Sequence, residues 1–271
     1  MFTVLKNHWP EYLIEAFGLG AFMLSACVFG ALLEHPVSPI REAVSDGFTR
    51  RIFMGLAMGL TAISIVYSPW GKQSGAHLNP ALTLTFFRLG KVAKEDAIFY
   101  VFAQVAGGIT GMYCAVLLLR SWLQHPAINY VATVPGASGV FAAFIAEIII
   151  TFVLMITILT ISNHARLSHF TGLFAGALVA IYITFEAPIS GMSMNPARTL
   201  ASAFFGNIWT AIWIYFVAPP IGMLLAAEAY LRCAGAQKIF CAKLHHHNNK
   251  RCIFRCDFAS IYEGNSTDLT S

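Results

Sequence analysis

Polar and apolar positions along the chain fall into long apolar runs separated by short polar breaks. Six runs, roughly 11–33, 49–68, 97–119, 139–161, 169–188 and 209–231, are long enough to cross a bilayer, which takes about 20 mostly apolar residues per helix. Two further apolar segments, 79–88 and 195–205, have only about half that length. Each short segment follows a Ser-Gly pair and begins at Asn-Pro. Asn is a favoured helix N-cap, and Pro suits the first helical position because its φ is preset and it has no amide hydrogen to leave unpaired. Each Asn-Pro-Ala is therefore expected to open a half-helix.

The pattern occurs twice. Three runs with a half-helix after the second are followed by the same arrangement again. SGAHLNPALTL at 74–84 and SGMSMNPARTL at 190–200 agree at seven of eleven positions. Each copy also carries a Glu in its first run, Glu15 in YLIEAFGLG and Glu147 in FIAEIIITF. Three is odd, so the second copy enters the membrane from the opposite side. Inverted repeats of this kind place their working site near mid-membrane, where broken helices present their ends. The expected organisation is a short N-terminal segment 1–10, a first repeat 11–119, a connecting loop 120–138, a second repeat 139–231 and a tail 232–271.

Composition agrees with this reading. Hydrophobic residues make up 57% of the 271 and charged residues 11%, far below the quarter or so typical of soluble domains. The 21 Gly and 22 Phe suit helices packed closely in lipid. The net charge of +4 is small and no nucleic-acid-binding module is recognisable, so nucleic acid is not an expected partner. The N-terminus lacks the short apolar core and cleavage site of a signal peptide. With both termini cytoplasmic, twelve Lys and Arg fall on the inner side and five on the outer, which favours that orientation.

Irregular backbone inside hydrocarbon is tolerated only where it is buried in protein or lines water. The segments before each half-helix are thus expected to be re-entrant loops along a wet path. Carbonyls of Gly75, Ala76, His77 and Leu78, and of Gly191, Met192, Ser193 and Met194, would supply acceptors. The half-helix N-termini would meet at one point, each with a partial positive charge that repels cations. Asn79 and Asn195 would offer donors to a neutral solute there. Glu15 and Glu147 are expected to accept backbone amides of the loops, with a proton relay as the alternative, because a membrane carboxylate is costly and seldom accidental. His77 would face the inner vestibule or brace its loop.

These paired boxes, Asn79-Pro80-Ala81 and Asn195-Pro196-Ala197, together with Glu15 and Glu147, resemble the aquaporin or major intrinsic protein family over about residues 10–231. The resemblance implies an all-α membrane protein with an inverted repeat of six spans and two half-helices. It also implies a pore in each subunit, a homotetramer in lipid, and passive conduction with no cofactor and no catalysis. Arg198 matches the family's filter arginine. By register Met58, Ile183 and Met192 take the other filter positions, where water channels usually have Phe and His at the first two. The gap between the second run and the first Ser-Gly is one residue longer than the family pattern, which leaves the register at Met58 open by one. A collar of Met, Ile and Met has flexible thioether arms and no His donor. Thr199 stands where glycerol facilitators carry Asp, and Ala203 and Tyr215–Phe216 also side with water channels. EAPISGMSMNPART resembles plant nodulin-like and related bacterial members, which pass small uncharged solutes. The expected function is a channel for water and small neutral solutes that excludes protons and ions. A facilitator of glycerol, ammonia, peroxide or metalloid acids is the near alternative, and a closed-pore structural protein of membrane junctions the more distant one.

The tail offers two readings. Cys233, Cys241, His245, Cys252 and Cys256 are candidates for soft-metal binding, although their spacing matches no standard zinc finger. Alternatively the tail is basic, partly helical and laid on anionic lipid, with Cys available for acylation. Asn265-Ser266-Thr267 matches a glycosylation sequon that a cytoplasmic tail would not expose to the enzyme, and residues 263–271 are expected to be disordered.

Overall fold

The computed structural model describes residues 1–259; the sequon and residues 263–271 lie outside them. Six helices are long and apolar enough to span a membrane. They are α1 (Phe2–Glu34), α2 (Gly47–Tyr67), α4 (Lys94–Leu119), α5 (Gly139–Ser162), α6 (Ser168–Phe185, opening with a 3₁₀ turn) and α8 (Trp213–Ala234), with the half-helices α3 (Pro80–Arg88) and α7 (Pro196–Gly206) between them. No strand occurs among the described residues. The chain is an integral, multi-pass, all-helical membrane protein.

The half-helices begin as Asn-Pro requires. Asn79 and Asn195 are extended N-caps, and their side chains accept from the amides of Ala81 and of Ala197 and Arg198. Each half-helix packs against the third span of its own repeat and also against that of the other, α3 on α8 and α7 on α4. This exchange ties the two repeats together around a common centre.

Small residues set the closeness of the span crossings. A Cβ at Gly111 of α4 would lie 2.3 Å from the Gly20 carbonyl oxygen of α1, and one at Gly59 of α2 would lie 2.6 Å from that of Gly176 in α6. In lipid, where no hydrophobic gain separates helix from solvent, such backbone approach is the main source of attraction. Large apolar side chains including Phe17, Leu60, Phe102, Leu117, Phe141 and Phe185 point outward, as a lipid-facing surface demands.

Two expectations change. The first helix does not start near residue 11: it begins at Phe2 and runs straight through Pro10. Its first turns reach the tail, with Arg251 donating to the Asn7 carbonyl and to both oxygens of Glu11. The tail is also not the partly helical segment expected to lie on lipid. After one short 3₁₀ turn at Ala236–Lys238 it is irregular and folds back over the helix ends, burying Ile239, Cys241, Ala242, Leu244, Phe254 and Phe258.

Candidate functional site

Two carboxylates hold the re-entrant loops. Glu15 is fully buried. Its Oε1 accepts from Ser74 Oγ at 2.8 Å and from the His77 amide at 3.0 Å, and its Oε2 accepts from the Leu78 amide at 2.6 Å and Gln104 Nε2 at 2.9 Å. Glu147, also fully buried, repeats the pattern. It accepts from Ser190 Oγ at 2.8 Å, the Ser193 amide at 2.7 Å and the Met194 amide at 2.8 Å. One tyrosine finishes each brace, Tyr100 donating to the Ser74 carbonyl at 2.7 Å and Tyr215 to that of Ser190 at 2.5 Å. Gly75 and Gly191 have φ of +93° and +81°, and Ala76, Leu78, Met192 and Met194 also lie at positive φ. Left-handed backbone costs roughly 1–2 kcal/mol for a residue with a Cβ, a cost offset here by the carboxylates that bind the loop amides together with the Ser74, Ser190, Tyr100 and Tyr215 hydrogen bonds.

The loops meet through the asparagines. Asn79 Nδ2 donates to the Met194 carbonyl and Asn195 Nδ2 to the Leu78 carbonyl, both at 2.7 Å. Each amide nitrogen carries two hydrogens, so one N–H of each remains for a solute. Both residues line a single cavity of about 350 Å³, which also includes Ala76, His77, Leu78, Gly191, Ser193 and Met194 in its wall. Met58, Ile183, Met192 and Arg198 line the same cavity. Arg198 Nη1 is buried with no protein partner among the described residues.

Some expected groups stand elsewhere. Gly75 is not part of the wall; its carbonyl accepts from the Leu244 amide of the tail at 3.2 Å. Pro80, Ala81, Pro196 and Ala197 sit behind the wall in the first turns of α3 and α7. Thr199 is buried between Ser193 Oγ and Thr133 Oγ1, at 2.5 and 2.7 Å. His77 lines the cavity, and its ring joins Thr83 Oγ1 at 3.1 Å to the Ala242 carbonyl at 2.8 Å.

The tail groups also sort themselves. Among the described residues Cys241, His246, Cys252 and Cys256 bring their donor atoms within 4.8 Å of one another. Cys233 is not in this group: it is exposed on the last turn of α8, before the chain reverses. His245 is replaced by its neighbour His246, because the His245 ring packs edge-on against Tyr67 at 4.9 Å. Burial lowers the His246 pKa, but hydrogen bonds to Cys252 and Cys256 outweigh it and leave the imidazole at about 9. The Cys256 thiol is held far down by its bonds to Cys241, Cys252 and His246.

Sequence reasoning missed Tyr100, Tyr215 as a brace, Gln104 and the tail's Leu244, which also lines the cavity. In the register of the two Asn-Pro-Ala boxes Tyr100 falls opposite Phe216, one residue beyond Tyr215, so the duplication alone points only to that neighbourhood. Nothing in the sequence marks Leu244.

Six spans, two half-helices meeting tip to tip and one shared cavity define a membrane protein built to let something through its centre. The comparisons agree. Residues 5–230 match the Major intrinsic protein family, and the chain belongs to that family of membrane channels; it is not an enzyme. It is 38% identical to aquaporin NIP2-2 of Zea mays over 176 residues, 65% of this chain and 58% of that protein. It is 36% identical to a probable NIP-type aquaporin of Nicotiana alata over 192 residues, 69% of this chain and 68% of the other. The chain thus spans less than two thirds of the maize relative's length. The crystal structure of the aquaglyceroporin from Plasmodium falciparum shares the fold, with a TM-score of 0.68 at 22% identity, over 85% of this chain and 99% of that one.

Proposed function

We propose that the protein is a passive channel for water and small uncharged solutes that excludes protons and ions. The observation that carries this reading is the Asn79–Asn195 pair. Each residue caps a half-helix, each is tied to the opposite loop, and each keeps one N–H for the cavity. The two helix N-termini repel cations at that point. A water whose oxygen accepts from both amides has its hydrogens turned away from its neighbours along the file, which breaks a proton wire. Arg198 adds a fixed positive charge and free donors to the same wall.

A second reading has its own support: Met58, Ile183 and Met192 give the collar an apolar, deformable lining. Such a collar admits larger neutral solutes such as glycerol or a metalloid acid more readily than one carrying a His donor. The relatives' aquaporin names agree with the family of solutes and leave this choice to experiment. We also place both termini in the cytoplasm and four copies in the working assembly, in the plasma membrane of the cell. Stopped-flow shrinkage of proteoliposomes in an impermeant osmolyte, repeated in glycerol, tests the order of preference. Faster water flux supports the first reading, and glycerol entry without faster water flux supports the second.

A further inference from the structure

The tail lies against the first re-entrant loop and the ends of several neighbouring elements, and Leu244 lines the cavity. Arg251 binds Glu11 of α1, the Arg255 amide donates to the Lys91 carbonyl at 3.0 Å, and the Phe240 amide donates to Asn163 Oδ1 at 2.8 Å. Between these anchors the Leu244 amide bonds the Gly75 carbonyl and its side chain enters the cavity wall. The Phe254 ring stacks on His77 at 5.3 Å and 6°. Beyond the 3₁₀ turn no helix or strand holds residues 239–259 in place.

We propose that Cys241, His246, Cys252 and Cys256 form a site for a thiophilic divalent cation of the zinc class, and that the loaded site holds Leu244 as a plug in the channel mouth. The donor set is three sulfurs and one imidazole, the chemistry of closed structural zinc sites. Metal–sulfur bonds of about 2.3 Å in a tetrahedron set the donors about 3.8 Å apart. Here Cys241 Sγ and Cys252 Sγ are 3.6 Å apart, and Cys256 Sγ and His246 Nε2 are 2.9 Å apart. The ligands come from two short loops that Lys243 Nζ already joins by donating to the Lys250 and Arg251 carbonyls. A disulfide between Cys241 and Cys252 would use two of the four groups and leave Cys256 and His246 facing each other with no task.

The placement of ligands in the chain links the ion to the pore. Ala242 and Leu244, which touch the first re-entrant loop, lie between Cys241 and His246. Phe254, which stacks on His77, lies between Cys252 and Cys256. An ion that fixes these four ligands fixes the residues they bracket, and metal affinity becomes docking energy for the tail. The plug rests on the channel reading; the metal site does not.

The test uses the full chain, purified with a reductant, stripped by a chelator and titrated with cobalt(II) in place of zinc. One cobalt per chain is expected, with visible tetrahedral bands and thiolate-to-metal charge transfer. The triple variant Cys241→Ala, Cys252→Ala, Cys256→Ala should lose them and Cys233→Ala should keep them. In proteoliposomes the stripped protein should pass water about tenfold faster than the zinc-loaded protein, since an ion that binds only the docked tail shifts the population toward closure. Leu244→Gly keeps the ligands, so it should show the cobalt bands and conduct when loaded. Absent bands, or, in protein purified without reductant, a native mass two hydrogens light from a disulfide with no metal, overturn the site. Equal flux in loaded and stripped forms overturns the plug. Cobalt bands with no flux in any form or variant refute the channel reading and leave the metal site standing.

Discussion

At the scale of single residues, Glu15 and Glu147 decide whether the loops exist. Each is buried and each receives two consecutive loop amides. Replacing Glu147 by Gln swaps one acceptor oxygen for a donor facing an amide hydrogen. A buried donor left unpaired costs about 1–3 kcal/mol, so Glu147→Gln should lower the thermal unfolding midpoint in detergent. An unchanged midpoint would mean that the second loop is held by something else. Arg198 acts on selectivity instead. Arg198→Val removes the fixed charge but leaves both half-helices capped, so water flux and proton exclusion should persist while vesicles take up glycerol faster; unchanged glycerol entry would mean that Arg198 does not limit the passage. The asparagines and glutamates were legible in the sequence because they occur twice at matching places in a duplicated pattern. His246 was not, because three consecutive histidines give no hint of which one turns inward. That choice falls to Tyr67, against which His245 packs, and to Ser168, which pairs with His247 Nε2 at 2.8 Å.

At the scale of elements, the half-helices owe their position to an exchange of partners between repeats and to glycines at the span crossings. Gly111→Leu would drive a side chain into the Gly20 backbone, where even a Cβ sits 2.3 Å from the carbonyl oxygen. Overpacking costs about 1–3 kcal/mol where side chains can adjust, and here the obstacle is backbone. This variant should unfold at lower temperature or fail to assemble, whereas Leu117→Ala on the exposed face of the same helix should change little. Equal stability of the two would contradict the packing account. The sequence pattern located every span and both half-helices, because apolar length and Asn-Pro caps are local signals. Helix ends were less legible. Lys6, Pro10 and Glu11 make the start of α1 look like a polar leader, yet Glu11 is buried because Gln73 and Arg251 bind it. The tail's fold was illegible since its partners, Gly75, Lys91 and Asn163, are distant in the chain and carry no periodic mark.

At the scale of the whole molecule, two inverted halves share one path, and the tail from the second half closes over the loop of the first. The outward apolar surface fits lipid and leaves room for copies of the chain to pack side by side. Native mass spectrometry from detergent should show an assembly of four 29.6 kDa chains; a monomer alone would contradict that proposal. The central claim is that the facing half-helix tips pass neutral molecules and stop charge. Vesicles holding the chelator-stripped full chain and a pH-sensitive dye, subjected to an osmotic step, test it most directly. The account predicts shrinkage well above that of protein-free vesicles, with no faster decay of an imposed proton gradient. Shrinkage at the protein-free rate in both the stripped protein and Leu244→Gly, or proton leak in step with water flow, would contradict it.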